Sequence, residues 1–225
     1  SQTSVAYLVT TINDNSTTTY EDNTADGTLD DNTAMVIAND DGTLPADALL
    51  PIRSVTSIPN VTYLLLESVT IPAGKTLTIN KGIVIKGKNY YDRIVVQGKL
   101  VADATADSTI TMTSVKDDNV GNPGDTNKDG TASVPAKTDW SGIVFEATSD
   151  TSSVINHCRL KYGSMASTYY NTRYIGGGLI TMINASPYIY NTRLDNVVYG
   201  LYAFQSSNPK MMNDTIVNSD YTPIA

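Results

Sequence analysis

The chain has 225 residues and a formal net charge of −8, from 23 acidic and 15 basic residues. The acidic residues are mostly Asp, because Glu occurs only at Glu21, Glu67 and Glu146, and this bias favours turns over helices. The chain has no basic stripe that would neutralise phosphates, which argues against nucleic acid as a partner. It also has no run of about 18 apolar residues, so we expect no membrane span.

Cys158 is the only cysteine, so an intramolecular disulfide is excluded and stability must come from packing, with calcium as a further source. Exported bacterial proteins commonly have this composition. The chain starts at Ser1 without Met and ends at Ala225 directly after a strand-like unit. We interpret it as a mature or excised segment of a larger protein and expect an extracellular or cell-surface location of the bacterial type.

Residues 1–50 form the least regular part of the sequence, and we expect an irregular segment that caps the fold or donates a strand. Short strands are predicted at residues 4–11 and 35–38. The Asp-Gly pairs at residues 26–27 and 41–42 indicate turns. The alternative is a calcium site made by the surrounding acids, which are Asp22, Asp26, Asp30, Asp31, Asp40 and Asp41.

From residue 51 onward the sequence changes to short β-prone runs separated by turns. Residues 76–87 alternate apolar and polar side chains through Leu77, Ile79, Ile83 and Ile85, as a wall with one buried face requires. Residues 94–96, 100–101 and 110–112 continue the pattern. We therefore predict a second region, residues 51–225, that is entirely β.

This region repeats itself at a fixed spacing. Residues 178–181 recur as residues 200–203, and residues 186–191 recur as residues 208–213, in both cases 22 residues later. An earlier unit begins at residues 142–145, 34 to 36 residues before its counterpart, which is one repeat plus an insertion. Units of this length without room for a helix predict a parallel β-solenoid of about six to seven coils.

The segments PAGKTLTI (72–79), IVVQGKLVADATADSTITMTS (94–114) and DWSGIVF (139–145) resemble the pectate-lyase-like superfamily, and within it bacterial surface or exported proteins. The resemblance covers about residues 69–219. It implies an all-β fold, the right-handed parallel β-helix. It implies no particular activity, because that superfamily includes polysaccharide lyases, glycoside hydrolases, adhesins and phage tailspikes.

Two polar insertions interrupt the coils, at residues 115–138 and 164–175, and solenoids commonly place binding surfaces on such insertions. The first contains Asp125, Asn127 and Asp129 followed by Gly130. This is the first half of an EF-hand-type calcium loop, in which alternate side chains converge on a hard cation. The twelfth position is Ala136, so the usual Glu is missing. Asp117, Asp118 or Asp139 can replace it only if the loop folds back; the alternative is a solvated loop.

Arg159 and Arg193 occupy equivalent positions of successive units, with Lys161 nearby. Equivalent positions stack about 4.8 Å apart, so the two arginines repel unless an anion lies between them. That anion is either a ligand such as a uronate, or the carboxylates of Asp195 and Asp214. We take the arginines as candidate ligand-binding residues, with solvated surface arginines as the alternative.

Tyr169, Tyr170 and Tyr174 lie in the second insertion and are candidate ligand-binding residues. Exposed tyrosine rings offer flat apolar faces with polar rims, which suit sugar rings or a protein partner. The alternative is packing on the outside of the solenoid.

The remaining chemically active residue types favour structural roles. His157 aligns with Asn191 and Asn213, and this column predicts an internal polar ladder at a bend. Cys158 and Trp140 are expected in the wall. No Asp-Asp pair lies on a regular unit, although glycoside hydrolysis needs two positioned carboxylates.

These patterns together favour a non-enzymatic exported or cell-surface module with a structural, adhesive or glycan-binding role. Its expected partners are a polysaccharide or a protein at the cell surface, or further copies that assemble into fibres through unpaired coil ends, with residues 4–11 as donor strand. The alternative is a calcium-dependent polysaccharide lyase or another carbohydrate-active enzyme.

Overall fold

A computed structural model describes residues 35–36, 48–50, 62–122, 124–164, 168–170, 173–175 and 177–225. Throughout these ranges the regular secondary structure is β-strand, joined by turns and bends. Consequently, no helix in the described ranges has the length and apolar character that crossing a bilayer requires.

Within these described ranges the structure has twenty short strands. In chain order they are β1 (Met35–Val36), β2 (Ala48–Leu50), β3 (Thr62–Leu65), β4 (Val69–Ile71), β5 (Thr76–Ile79), β6 (Val84–Gly87), β7 (Arg93–Val96), β8 (Lys99–Asp103), β9 (Ile110–Ser114), β10 (Gly142–Phe145), β11 (Val154–Asn156), β12 (Cys158–Lys161), β13 (Thr168–Tyr170), β14 (Arg173–Ile175), β15 (Ile180–Ile183), β16 (Tyr188–Tyr190), β17 (Arg193–Val197), β18 (Leu201–Phe204), β19 (Lys210–Met212) and β20 (Thr215–Ser219).

Eighteen of these strands form three parallel sheets. Sheet A has the order β1-β3-β6-β9-β12-β17-β20, sheet B the order β18-β15-β10-β7-β4, and sheet C the order β19-β16-β11-β8-β5-β2. Each coil, from β4 onward, contributes one strand to sheet B, then C, then A, and the next coil stacks on it. The right-handed parallel β-helix expected from the sequence is confirmed. In the described residues after residue 50, sheet A has six strands, which agrees with the predicted six to seven coils.

The repeat length holds in two sheets and differs in the third. Tyr188 pairs with Lys210 in sheet C and Arg193 with Thr215 in sheet A, each 22 residues apart. In sheet B, Ile180 pairs with Leu201, so the sequence alignment that placed residue 179 opposite Leu201 was wrong by one residue. All four residues of β15 are buried, so burial does not distinguish the two registers. The turn from β18 to β19 holds the extra residue.

The core is made of apolar side chains that stack in columns between the sheets. One column runs through Ile85, Met112, Leu160, Leu194 and Ile216, each opposite the next on neighbouring strands of sheet A. The first four are fully buried and Ile216 packs against them. Burying each such side chain contributes about 1.5–3 kcal/mol, so every added coil extends the core.

Both insertions leave the coils at the same corner, where the chain passes from sheet A to sheet B. Residues 115–141 connect β9 to β10, and the connection from β12 to β15 one coil later contains β13 and β14, which pair antiparallel as a hairpin. We call residues 115–141 the corner loop. Two successive coils therefore place their longest connections on one side of the solenoid.

Strands β1 and β2 pair with β3 and β5, so sheets A and C include strands that precede residue 51. The division of the chain at residue 50 stays a prediction. The predicted strand at residues 4–11 and the six N-terminal acidic residues lie outside the described residues.

Candidate metal centre and basic groove

The corner loop turns tightly around the Asp125 side chain. Its carboxylate accepts hydrogen bonds from the backbone N–H groups of Asp129 (3.2 Å) and Gly130 (2.9 Å). Lys128 and Gly130 have positive φ angles of 57° and 68°, a conformation that Gly adopts without strain. The Asp-x-Asn-x-Asp-Gly spacing therefore folds as a compact turn with its oxygen-bearing side chains on the inside.

Asp118 joins this turn from the other side of the loop. One carboxylate oxygen of each of Asp118, Asp125 and Asp129 lies within 4.8 Å of the other two. The Oδ1 atoms of Asp118, Asn127 and Asp129 are inaccessible to solvent and accept no hydrogen bond from the described residues. Buried oxygens without partners are costly, and these three all belong to one loop.

The orientation of Asn127 follows from its own hydrogen bonds. Its Nδ2 donates to Asp129 Oδ2 (2.8 Å) and to Ser133 Oγ (3.0 Å). These two hydrogen bonds fix the orientation of the amide, so that Nδ2 is used as a donor and Oδ1 is left as an acceptor without a partner. Carboxylate and amide oxygens are the donors that calcium prefers, usually six to eight of them. The four side chains fit part of such a set, and backbone carbonyls or water would complete it.

Of the three acids that the sequence offered as a replacement for the missing Glu, the structure brings Asp118 to the turn. Asp117 is buried elsewhere, where it forms an ion pair with Lys161 (2.6 Å) and accepts a hydrogen bond from Thr113 Oγ1 (2.8 Å). Asp139 lies at the end of the loop and pairs with Lys116 (2.7 Å). The loop folds back, as the calcium hypothesis requires, but only one of the three acids faces the other ligands.

The electrostatics of this cluster are unfavourable without a cation. Burial, followed by repulsion from Asp125, raises the pKa of the Asp118 carboxyl above its usual value. Two unit charges 4.8 Å apart, the upper limit of the separations in this group, repel by roughly 3.5 kcal/mol at an effective dielectric constant of ~20. A divalent ion placed among the three carboxylates would reverse this balance.

Lys86 lies beneath the corner loop, and sequence reasoning missed it. Its side chain is fully buried, and its ammonium donates to the backbone carbonyls of Asp117 (2.8 Å) and Gly124. Burial lowers the pKa of Lys86 to about 8, although the charge of Asp117 partly opposes the shift. The only signal in the sequence is a lysine that ends the apolar run at residues 83–85.

A groove lies on the outer face of sheet A beside the loop. It has a volume of about 250 Å³ and is lined by Thr111, Val120, Arg159, Lys161, Arg193 and Asp195. Arg159 and Arg193 are direct neighbours on β12 and β17, as the sequence alignment predicted. Arg193 forms an ion pair with Asp195 (3.0 Å), whereas Arg159 is exposed and pairs with no acid in the described part of the chain. The groove is therefore positively charged on the Arg159 side.

The other predicted site residues are distributed as follows. Tyr169 and Tyr174 pair across the hairpin and Tyr170 pairs with Arg173, but the side chains of these tyrosines lie outside the described part of the structure. Asp214 does not reach the arginines. Its carboxylate accepts a hydrogen bond from the Thr192 backbone N–H (2.9 Å), and burial raises its pKa.

A polar ladder does run along the coils, with a different member from the one predicted. Asn213 Nδ2 donates to Asn191 Oδ1 (3.2 Å), Asn191 to Asn156 (2.9 Å), and Asn156 to Asp103 (2.8 Å). The ladder thus passes through Asn156, and the prediction that His157 belongs to it was wrong. It is also not internal, because its members are half-buried or exposed.

Two residues expected in the wall are found there. Trp140 is fully buried, with its indole N–H donating to the Lys161 carbonyl (2.9 Å). Cys158 is buried in the core, and this burial raises the pKa of its thiol far above the usual value. Such a thiol is chemically inert.

Comparison of the chain with family models, with curated proteins and with solved structures finds no match.

Proposed function

We propose that this chain is a non-enzymatic module of an exported or cell-surface protein, and that its corner loop binds a calcium ion that stabilises the β-helix. One observation carries the proposal. Asp118, Asp125 and Asp129 each place one carboxylate oxygen within 4.8 Å of the other two, and solvent-inaccessible oxygens of Asp118, Asn127 and Asp129 in the same loop have no hydrogen-bond partner in the described part of the chain. Calcium suits this donor set better than magnesium, which keeps most of its water and binds through one or two carboxylates.

The expected affinity is low. The bidentate Glu of an EF-hand is absent, and a loop of reduced charge binds with a Kd on the order of 10⁻⁴–10⁻³ M, as extracellular modules do. Calcium at that level is available outside the cell and not in the cytosol. The weak site is therefore consistent with an exported protein. With Cys158 as its single cysteine, the chain can form no internal disulfide, and a calcium ion would supply the missing cross-link in the loop.

Thermal unfolding in calcium and in a chelator tests this function. At a calcium concentration about 100 times Kd, binding adds about 2.7 kcal/mol to the unfolding free energy. A domain of this size then gains roughly 5–10 °C in Tm. Asp125→Asn should remove most of the gain. Asp107→Asn removes the same charge from an exposed turn residue outside the loop and should keep it. An equal Tm in calcium and chelator would refute the calcium site.

A second candidate function is binding of an anionic polysaccharide in the groove, and the stacked pair of Arg159 and Arg193 favours it. Two guanidinium groups on adjacent strands present several N–H donors to carboxylates spaced along a polymer. Since only Arg193 is neutralised, by Asp195, Arg159 is the group with which a uronate carboxylate would pair.

Affinity electrophoresis in polygalacturonate and in a neutral glucan tests the groove. Retardation by the acidic polymer alone, lost in Arg159→Ala but kept in Lys81→Ala, would support it; Lys81 is an exposed cation outside the groove. Equal mobility in both polymers would exclude this candidate. Absorbance of the unsaturated product in the same incubations tests the lyase alternative, which predicts a calcium-dependent increase.

A further inference from the structure

Lys86 is a charged side chain in a place where a strand normally carries an apolar or an exposed residue. All four residues of β6 are buried, and Ile85 faces the core. Lys86 therefore points to the outer face of sheet A, where the corner loop covers it completely. Burying an ammonium is costly unless its donors find acceptors, and two of the three N–H donors of Lys86 bond to carbonyl groups of the loop.

The two carbonyls belong to the residues that immediately precede two of the proposed ligands. Lys86 Nζ donates to the carbonyl of Asp117, which adjoins Asp118, and to the carbonyl of Gly124, which adjoins Asp125. One ammonium thus joins the segment that supplies Asp118 to the turn that supplies the other ligands. The sequence separates these segments by several residues, and the buried lysine fixes them together.

Gly124 shows how closely the segments approach. A Cβ atom at this position would lie 2.6 Å from the backbone oxygen of Asp118. That distance is too short for any side chain, so only Gly allows the two backbones to meet here. Because both contacting groups are backbone atoms, neither can move away as a flexible side chain could.

We propose that Lys86 is the positioning residue of the calcium site: by holding the Asp117 and Gly124 carbonyls it brings Asp118 into the same ligand set as Asp125 and Asp129. This inference rests on the calcium binding proposed above and adds the residue that assembles the site. Lys86 does not touch the ion. It acts through the backbone of the residues next to the ligands, as groups behind a metal site often do.

Lys86 also sets the charge that the ion must balance. Three ligand carboxylates and one buried ammonium leave a formal charge of −2, because Asp117 is neutralised by Lys161. This charge matches a divalent ion. Without Lys86 the site carries −3 and shifts its preference toward trivalent ions, so the ratio of terbium to calcium affinity should rise.

Positioning and simple repulsion predict opposite effects of removing the lysine. A cation near a metal ion repels it, so repulsion alone predicts that Lys86→Met binds calcium more tightly. If Lys86 positions the ligands, Lys86→Met should bind calcium at least about tenfold more weakly, the range found when supporting groups of metal sites are removed. Gly124→Ala changes no charge and should weaken binding through displacement alone.

The experiment is isothermal titration of calcium, and of terbium, into the whole chain. The variants are Lys86→Met, Gly124→Ala and the control Lys88→Met, which removes an exposed lysine two residues further along. Circular dichroism of each variant in chelator reports whether it folds. Lys86→Gln is measured in parallel because it retains N–H donors, and it decides the result if Lys86→Met does not fold.

The proposal expects weaker calcium binding by Lys86→Met and Gly124→Ala, unchanged binding by Lys88→Met, and a raised terbium preference only in the Lys86 variants. Wild-type binding with equal or tighter binding by Lys86→Met would overturn the positioning role and leave the calcium site standing. Absence of binding by the wild type would overturn both.

Discussion

The coil wall and the corner loop are held together by different interactions. The wall is built from columns of like apolar residues, such as Ile85, Met112 and Leu160, in which each strand repeats the contacts of the last. The loop is held by charged and polar contacts that occur once, through Lys86, Asp117 and the carboxylates around Asp125. In the wall, each strand finds its packing partners on the next strand. In the loop, the negative charges exceed the positive ones, and a bound cation would correct this imbalance.

The coil wall and the corner loop meet at two buried charged residues, Lys86 and Asp117, which we call the seam. Lys86 on the wall and Asp117 in the loop are both almost fully buried. Their contacts attach the loop to the outer face of sheet A, and the Thr62 N–H adds a hydrogen bond to the Asn122 carbonyl (3.3 Å). Through these contacts the stabilisation that calcium gives to the loop should reach the whole β-helix, whereas the contribution of each core side chain in the wall should be the same with and without calcium.

The largest effect is expected from a wall residue. Leu160→Ala removes a fully buried side chain from the middle of a column and should lower the unfolding free energy by about 2–5 kcal/mol. Urea unfolding measures the loss, with and without calcium. Equal losses in the two conditions would support the separation of wall from loop. A loss that appears only in chelator would break it.

A smaller effect is expected at the seam. Asp117→Asn removes the charge that pairs with Lys161 and should cost about 1–3 kcal/mol. The control Asp107→Asn, at an exposed turn residue, should cost almost nothing. An equal effect of the two substitutions would mean that the seam does not hold the loop.

The same pair gives a pH dependence. Burial alone would raise the pKa of Asp117, but hydrogen bonds from Lys161 and Thr113, with the charges of Lys161 and Lys86, lower it below 3.8. A carboxyl with a lowered pKa stabilises the fold above its unfolded-state value and loses that contribution as pH falls through the folded-state value. The stability gap between wild type and Asp117→Asn should therefore be constant above about pH 5 and shrink below pH 3.8. A gap that widens on acidification would contradict the assigned direction.

The regular part of this protein could be predicted from sequence because its interactions repeat. The register of Arg159 with Arg193 was visible as an alignment of two units. Asp125, Asn127 and Asp129 could be grouped because they lie in one turn. Asp118 was only one of three alternatives, since its choice depends on how the loop folds back. The role of Lys86 could not be predicted from the sequence. The alternation of side chains along the strand places Lys86 on the outer face of the sheet, where a lysine is normally exposed, and it is buried only because the corner loop covers it.

The smallest effect is expected on the polar ladder of the wall. Asn191 has a positive φ of 48° and bonds to the asparagines above and below it. Asn191→Ala should cost about 1–2 kcal/mol through lost hydrogen bonds and backbone strain. Asn191→Gly loses the same bonds without the strain and should cost less. Equal costs would show that strain contributes nothing here, and calcium should change neither.

Anomalous diffraction from crystals grown in calcium would locate the proposed ion. We expect one peak in the corner loop, about 2.3–2.6 Å from side-chain oxygens of Asp118, Asp125, Asn127 and Asp129, and its loss in crystals grown in chelator. No peak at saturating calcium, or a peak that these side chains do not contact, would contradict this expectation.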